Sequence, residues 1–416
     1  MYYFYWLPVG TDARVRRTPW VTFAVAFLNV LVFALLMASR GDAGAFWALA
    51  FKAAHPTVAT AIVSLFLHAD VLHLAGNLAF LLVFGPPIEE RLGAARYLIA
   101  YVACGWLGNL AQAAVILAWH PELASVPIVG ASGSISGLMG LFLIRLYYTR
   151  LRFVSVTMLF LHGMAKPAAF SLPSIAGIGL WVVLTLAYQL AGTANQTAYA
   201  AHLGGIACGV LFALAMGLAP EGRLERHVAL GQRYAEKGEW FAALGEYETY
   251  LAAAPRDAEV LAQAARLQRL THQEDVAADR FRTAIRIWLL EGNLPDACDA
   301  YEDMRRLLGG GAALDAAAQL RIARGFEELE RPSEASRAYE AYGRTYPDRP
   351  AAALALLKSA EIERRMLNNP GRARFLCDEL LRRRLPADVR RLATERLELA
   401  ERDLARLGGS AGVGAA

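Results

Sequence analysis

One serine stands out for the glycines around it. Ser132 lies in Gly130-Ala131-Ser132-Gly133-Ser134-Ile135-Ser136-Gly137, just before an apolar run. Gly130 and Gly133 allow close backbone approach and leave the hydroxyl uncrowded. At the start of a helix, free backbone N–H groups point at any anion formed there. A serine that attacks a carbonyl needs such donors for its tetrahedral oxyanion. The competing reading is a small-residue packing motif between helices.

His202 lies in another apolar run, in Ala201-His202-Leu203-Gly204-Gly205, with Gly209 one turn on. Gly205 and Gly209 put a small-residue face on this helix, and a histidine beside that face can take the proton of Ser132. The alternatives are a packing histidine or a proton relay. No acidic residue sits in a span as an obvious third member, so the expected machinery is a dyad. His73 and Asn77 are four residues apart and share one helix face. Both can donate hydrogen bonds to the same oxyanion, or simply join helices. His68 is expected in the preceding loop or first turn. Polar groups inside apolar spans are costly, which marks these positions for function.

The elements that must position these residues are membrane helices. The 416 residues are 56% hydrophobic, and the apolar content is concentrated in residues 20–219, with most charge in 221–407. A membrane helix needs roughly 20 mainly apolar residues. Spans are expected near 19–38, 69–86, 94–118, 132–147, 174–191 and 199–217. The first lacks a small-x-small cleavage pattern and is expected to be a retained anchor. Arginines flank alternate loops (Arg14, Arg16 and Arg17; Arg91 and Arg96; Arg145, Arg150 and Arg152; Arg223 and Arg226), with Arg40 and Lys52 as exceptions. The positive-inside bias then places both termini in the cytoplasm. Residues 41–68 are expected to lie in the interface. The apolar part of 153–172 is too short to span and is expected flat at the cytoplasmic surface.

A net charge of +4 and four cysteines without metal spacing argue against nucleic-acid binding, a disulfide framework or a metal site. No cofactor is implied.

The second half carries a recurring pattern. Ala243-x-x-x-Tyr247 with Pro255 recurs as Ala335-x-x-x-Tyr339 with Pro347 at equal spacing. Ala277-x-x-x-Phe281 follows Ala243 by 34 residues, but Ala297-x-x-x-Tyr301 follows Ala277 by only 20. The small residue lets helices approach, the aromatic fills the gap, and proline stops the second helix. This resembles tetratricopeptide repeats and implies an α-solenoid of three to five helix pairs, whose concave face suits a protein partner. The alternative is a helical bundle that only stabilises the membrane half.

The first half resembles the rhomboid family. The matching pieces are His68-Ala69-Asp70-Val71-Leu72-His73-Leu74-Ala75-Gly76-Asn77, Glu89-Glu90-Arg91-Leu92-Gly93, Gly130-Ala131-Ser132-Gly133 and Ala201-His202-Leu203-Gly204-Gly205, in the family's order. The resemblance implies a six-helix bundle that cleaves transmembrane protein substrates near the external membrane face, with Ser132 as nucleophile and His202 as base. His73, Asn77 and the Ser132 amide would bind the oxyanion, and Glu89 and Arg91 match the family's structural pair. Two positions depart. The first external loop reads Ala48-Leu49-Ala50-Phe51-Lys52, without the family's Trp-Arg pair. Ser136 stands where one member has a tyrosine stacked on the base histidine.

The expected organisation is therefore all-α. It comprises a cytoplasmic segment 1–18, a six-helix membrane domain 19–219 among bilayer lipids, a cytoplasmic tetratricopeptide-like domain 224–407 and a disordered tail 408–416. The expected location is the bacterial inner (plasma) membrane. The alternative function is an inactive rhomboid-like protein that binds clients without cleaving them.

Overall fold

A computed structural model describes residues 3–38, 43–158, 168–190, 198–309 and 313–410. The chain divides into two compact units, Met1–Ala229 and Leu230–Ala416.

In the first unit, helices occupy each of the six expected apolar segments: α1 (Trp20–Ala38), α4 (Val71–Leu92), α5 (Ala94–Trp119), α6 (Ser132–Arg145), α7 (Ser174–Leu190) and α8 (Tyr199–Ala215). Short helices α2 (Ala43–Ala48) and α3 (Val58–Val63) lie between α1 and α4. Among the described residues, α1, α4 and α5 are each long and apolar enough to cross a membrane. Helix α8 reaches that length only together with α9 (Leu218–Glu236), across an 85° bend, while α6 and α7 are apolar but shorter. With its 14 residues, α6 spans about 21 Å against a hydrocarbon core of about 30 Å. It is buried nearly throughout and forms the centre of the bundle, so its ends lie within protein.

Glycine makes that central position possible. A Cβ on Gly205 would collide with the Gly133 carbonyl oxygen, and one on Gly209 with the Gly137 carbonyl oxygen. Helices α6 and α8 therefore touch backbone to backbone. The pairs ascend together, 133 with 205 and 137 with 209, so the two helices run parallel.

The bundle end near Arg91 and Arg145 differs from the expected Glu89–Arg91 pair. Glu89 is buried and caps α1: the Val21 N–H donates to its Oε1 at 2.9 Å, and the Thr22 N–H and hydroxyl each donate to Oε2 at 2.7 Å. A carboxylate at a helix N-terminus satisfies orphan donors and opposes the helix dipole. Arg91 instead donates to the Arg14 carbonyl at 2.6 Å and meets Glu225 at 3.4 Å. Glu225 also accepts from Arg145 and Tyr148, each at 2.7 Å. Its burial disfavours the charge. Hydrogen bonds from Arg145 and the positive charges of Arg91 and Arg145 outweigh that and hold its carboxyl below the usual range. The two residues thus serve different partners: Glu89 the first turn of α1, and Arg91 the Arg14 carbonyl and Glu225 of α9.

A three-stranded antiparallel sheet accompanies the helices: β1 (Tyr3–Thr11), β2 (Arg150–Met158) and β3 (Ala168–Pro173), in that order. Residues 153–158, expected flat at the cytoplasmic surface of an all-α chain, are therefore strand; the rest of the segment from 159 to 167 lies outside the described residues. Phe153-Val154-Ser155-Val156-Thr157 has strand composition, but its partner β1 is some 140 residues away. Phe153 opposes Phe170, their rings stacked at 5.5 Å.

The 41–68 segment is not confined to an interface. Phe51 is fully buried, and its carbonyl accepts from the Ile128 N–H at 2.8 Å. The Ala54 N–H donates to the Ala124 carbonyl at 2.8 Å. Phe51 thus anchors the loop that lacks a Trp-Arg pair.

The second unit is helical. Beyond α9 come α10 (Trp240–Ala253), α11 (Ala258–Leu270), α12 (Glu274–Glu291), α13 (Leu294–Leu308), α14 (Ala316–Glu328), α15 (Pro332–Thr345), α16 (Ala351–Arg365), α17 (Pro370–Leu381) and α18 (Ala387–Ser410). Each packs on the next, as in a solenoid. Ala243, Ala277, Ala297 and Ala335 are fully buried, and their aromatic partners Tyr247, Phe281, Tyr301 and Tyr339 are nearly so. The motif falls on α10 and α12, then on α13 and α15. The slip in spacing is a change of helix parity between α12 and α13. The result is a tetratricopeptide-like fold. Helix α18 extends to Ser410, past the expected end at Leu407; residues 411–416 lie outside the described residues.

Candidate functional site

Ser132 is the first residue of α6. Its N-cap, Ala131, offers no side-chain cap, so the first-turn N–H groups stay open for another acceptor. Gly130 holds φ at +119°, a backbone conformation side chains rarely adopt, and its N–H donates to the Ser64 carbonyl at 2.9 Å. This turn delivers the chain into α6. The Ser136 hydroxyl donates to the Ser132 carbonyl at 2.6 Å, bracing the first turn from within.

His73 and Asn77 lie on α4 and face the turn. The Asp70 carboxylate caps α4 by accepting from the His73 N–H at 2.8 Å. A Cβ on Gly130 would lie 2.8 Å from His73 Nε2 and 3.7 Å from Asn77 Nδ2. Asn77 is buried, and its Nδ2 has no hydrogen-bond partner among the described residues. An unpartnered buried donor beside a serine turn suits an oxygen that arrives with a substrate. His68 lies in the loop before α4, as expected, and is fully buried there, with its ring 5.2 Å from that of His73 in an edge-on contact.

His202 enters from α8. Because α6 and α8 are parallel and in register, the first turns of both helices lie at the same end. A Cβ on Gly133 would sit 3.7 Å from the carbonyl oxygen of Ala201, the residue before His202. No hydrogen bond joins Ser132 and His202 among the described residues; such contacts often tighten only when substrate binds. Two aromatic rings flank the imidazole. Trp181 on α7 lies tilted at 5.4 Å, and Tyr199 on α8 meets it edge-on at 6.3 Å. Trp181 escaped sequence reasoning. In an apolar helix a tryptophan looks like any other lipid-facing or core residue, and only the α7–α8 contact gives it a partner. It supplies an aromatic face that Ser136 does not.

The structure therefore brings Ser132, His73 and Asn77 to one turn, with His202 on the adjoining helix end. Gly130 and Gly133 shape the turn, and Gly205 and Gly209 set the distance between helices. Glu89 and Arg91 lie at the far end of α4.

Residues 55–219 match the family model described as Rhomboid domain. Over 187 residues the chain is 31% identical to "Rhomboid protein 1, mitochondrial" of Saccharomyces cerevisiae, covering 43% of this chain and 46% of that protein. It is 26% identical over 220 residues to "Rhomboid protease GluP" of Bacillus subtilis, covering 51% and 38%. It is 30% identical over 159 residues to "Inactive rhomboid protein 1" of Drosophila melanogaster, covering 38% and 9%. The chain thus spans less than half the length of each of these relatives. Their names include both a protease and an inactive protein, so the likeness alone does not decide activity.

Proposed function

We propose that this membrane protein, whose residues 55–219 match the rhomboid family model, is an intramembrane serine protease working through a Ser132–His202 dyad. The observation that carries the reading is the parallel, glycine-to-glycine packing of α6 on α8. It sets the first turn carrying Ser132 level with the first turn carrying His202.

In this reading Ser132 Oγ attacks a peptide carbonyl of a transmembrane protein substrate near the external membrane face. The Oγ–C bond forms as His202 takes the hydroxyl proton. The oxyanion is held by the Ser132 N–H, His73 and Asn77. The tetrahedral intermediate collapses, the peptide C–N bond breaks, and His202 returns the proton to the leaving amine. Water then attacks the acyl-enzyme with His202 again as base. Trp181 and Tyr199 limit the imidazole's tilt.

The membrane domain is assigned to residues 19–219 and the tetratricopeptide-like domain to 224–407, with a short segment 1–18 before them and a tail 408–416. Loop arginines support a multi-pass orientation with both termini in the cytoplasm of a bacterium, the repeat domain there binding a protein partner. The competing reading is a client-binding rhomboid-like protein without protease activity. Retention of both Ser132 and His202 favours the protease.

The test is cleavage of a transmembrane reporter by purified protein in proteoliposomes. Wild type cleaves; Ser132→Ala and His202→Ala do not. Cleavage that persists in pure Ser132→Ala protein rules out the mechanism. A folded wild type that binds reporters without cutting any of them favours the inactive reading.

A further inference from the structure

Helix α8 begins without a cap of its own. Its N-cap residue, Ala198, offers no side-chain hydrogen bond. The first intrahelical bond of this turn runs from the His202 N–H to the Ala198 carbonyl at 3.3 Å. The N–H just before it, on Ala201, has no acceptor within α8. Capping of this kind normally comes from the N-cap side chain of the same helix.

Here the acceptor comes from another helix. The Ala201 N–H donates to Oε1 of Gln112 on α5 at 3.2 Å. Gly108, one turn before Gln112 on α5, faces the other end of the same residue: a Cβ there would lie 2.7 Å from the Ala201 carbonyl oxygen. The α5 face made by Gly108 and Gln112 therefore holds Ala201 at both its N–H and its carbonyl. A Cβ on Gly204 would come within 3.4 Å of the Gly108 Cα, so the approach is close along the whole turn. Ala201 is covalently joined to His202, and a shift of this turn moves the imidazole directly.

We infer that Gln112 is the positioning residue for His202: it supplies from α5 the cap that α8 lacks, and so fixes the height and direction of the imidazole over Ser132. The inference rests on His202 acting as the base. Gln112 touches neither substrate nor the reacting atoms. Its effect runs through the backbone of Ala201, and the required chemistry is an acceptor oxygen at glutamine's reach. Glutamate meets that requirement whether protonated or not. Leucine has the size without the acceptor, and methionine the length with only a weak sulfur acceptor.

The experiment measures reporter cleavage by the full chain in proteoliposomes over a range of reporter concentrations, with folding followed by size exclusion. Gln112→Leu and Gln112→Met are expected to lower kcat about tenfold while KM stays within about twofold, because orientation of the base matters to the chemical step. Gln112→Glu is expected to stay within about threefold of wild type, since the acceptor is kept. The inference is overturned if Gln112→Leu or Gln112→Met, whichever folds, cleaves like wild type. It is overturned equally if Gln112→Glu is as slow as Gln112→Leu, or if KM carries the loss. Aggregation of both apolar variants makes Gln112 a folding residue and also overturns it. Failure of the protease reading shows separately: wild type then does not cleave, or Ser132→Ala does.

Discussion

Gly133 and Gly205 pack backbone against backbone, with the Gly133 carbonyl oxygen occupying the space a Cβ on residue 205 would need. The obstacle is main chain, which cannot rotate aside as a side-chain tip can. Gly205→Val is expected to destabilise the bundle by about 1–3 kcal/mol and to push α6 and α8 apart. Thermal unfolding in detergent reads the first effect and reporter cleavage the second. A Gly205→Val protein that melts and cleaves like wild type would contradict the parallel packing.

The α5–α8 contact can be read chemically. Cys104 and Cys208 are both free thiols, with sulfurs 3.4 Å apart. A disulfide bond needs about 2.05 Å, a small movement. Copper-phenanthroline with oxygen should accept two electrons while the two thiols lose their protons and join. Maleimide labelling after denaturation should then fall from four thiols to two. Full labelling of all four after oxidation would mean that α5 and α8 do not bring these sulfurs within 3.4 Å.

Glu225 gives the bundle an acid limit. Despite its burial, hydrogen bonds from Arg145 and nearby positive charge keep its folded pKa below the ordinary 4.5. A depressed carboxylate pKa contributes stability above the unfolded value, and that stability is lost as pH falls through the folded value. The melting temperature should therefore hold near neutrality and decline below about pH 4.5. Glu225→Gln should lose roughly 1–3 kcal/mol at pH 7, because the buried Arg145 loses its carboxylate at 2.7 Å and, among the described residues, is left with the exposed Glu221 at 3.2 Å as its ion-pair partner. It should also flatten the acid decline. An unchanged acid slope in Glu225→Gln assigns the decline to other groups.

Asp315 caps α14, accepting from the Ala318 N–H at 2.9 Å. Asp315→Ala should cost about 1 kcal/mol, and Asp315→Asn much less, since asparagine caps as well. Denaturant unfolding of the full chain, followed in the repeat unit through Trp288, measures the difference. Equal losses in both variants would point to the Arg286 contact at 3.1 Å rather than the cap.

Much of this was readable along the chain. Ser132, His73, Asn77 and His202 are conspicuous because each is a polar group in an apolar run, where solvation makes it costly. The glycines around them announce close approach. The repeat motif announces itself through spacing, and its buried alanines and aromatics fall on successive helices. Glu89 stands out along the chain, but its cap contacts do not: they are the Val21 and Thr22 amides, which any sequence would offer. Trp181 and Gln112 were not singled out, since a tryptophan and a glutamine in apolar helices carry no spacing signal.

Composition and periodicity set the helical class, the six apolar segments, the repeat rhythm and which polar residues sit where polarity is expensive. Those properties are local, written in composition and periodicity over a few turns. Long-range packing establishes that α6 and α8 run parallel in register, that Glu89 caps α1, that β1 pairs with β2, and that Gln112 reaches Ala201. Each of these joins residues 67 or more positions apart. The backbone groups they use are the same at every position, so the chain carries no local mark of the pairing until the helices have packed.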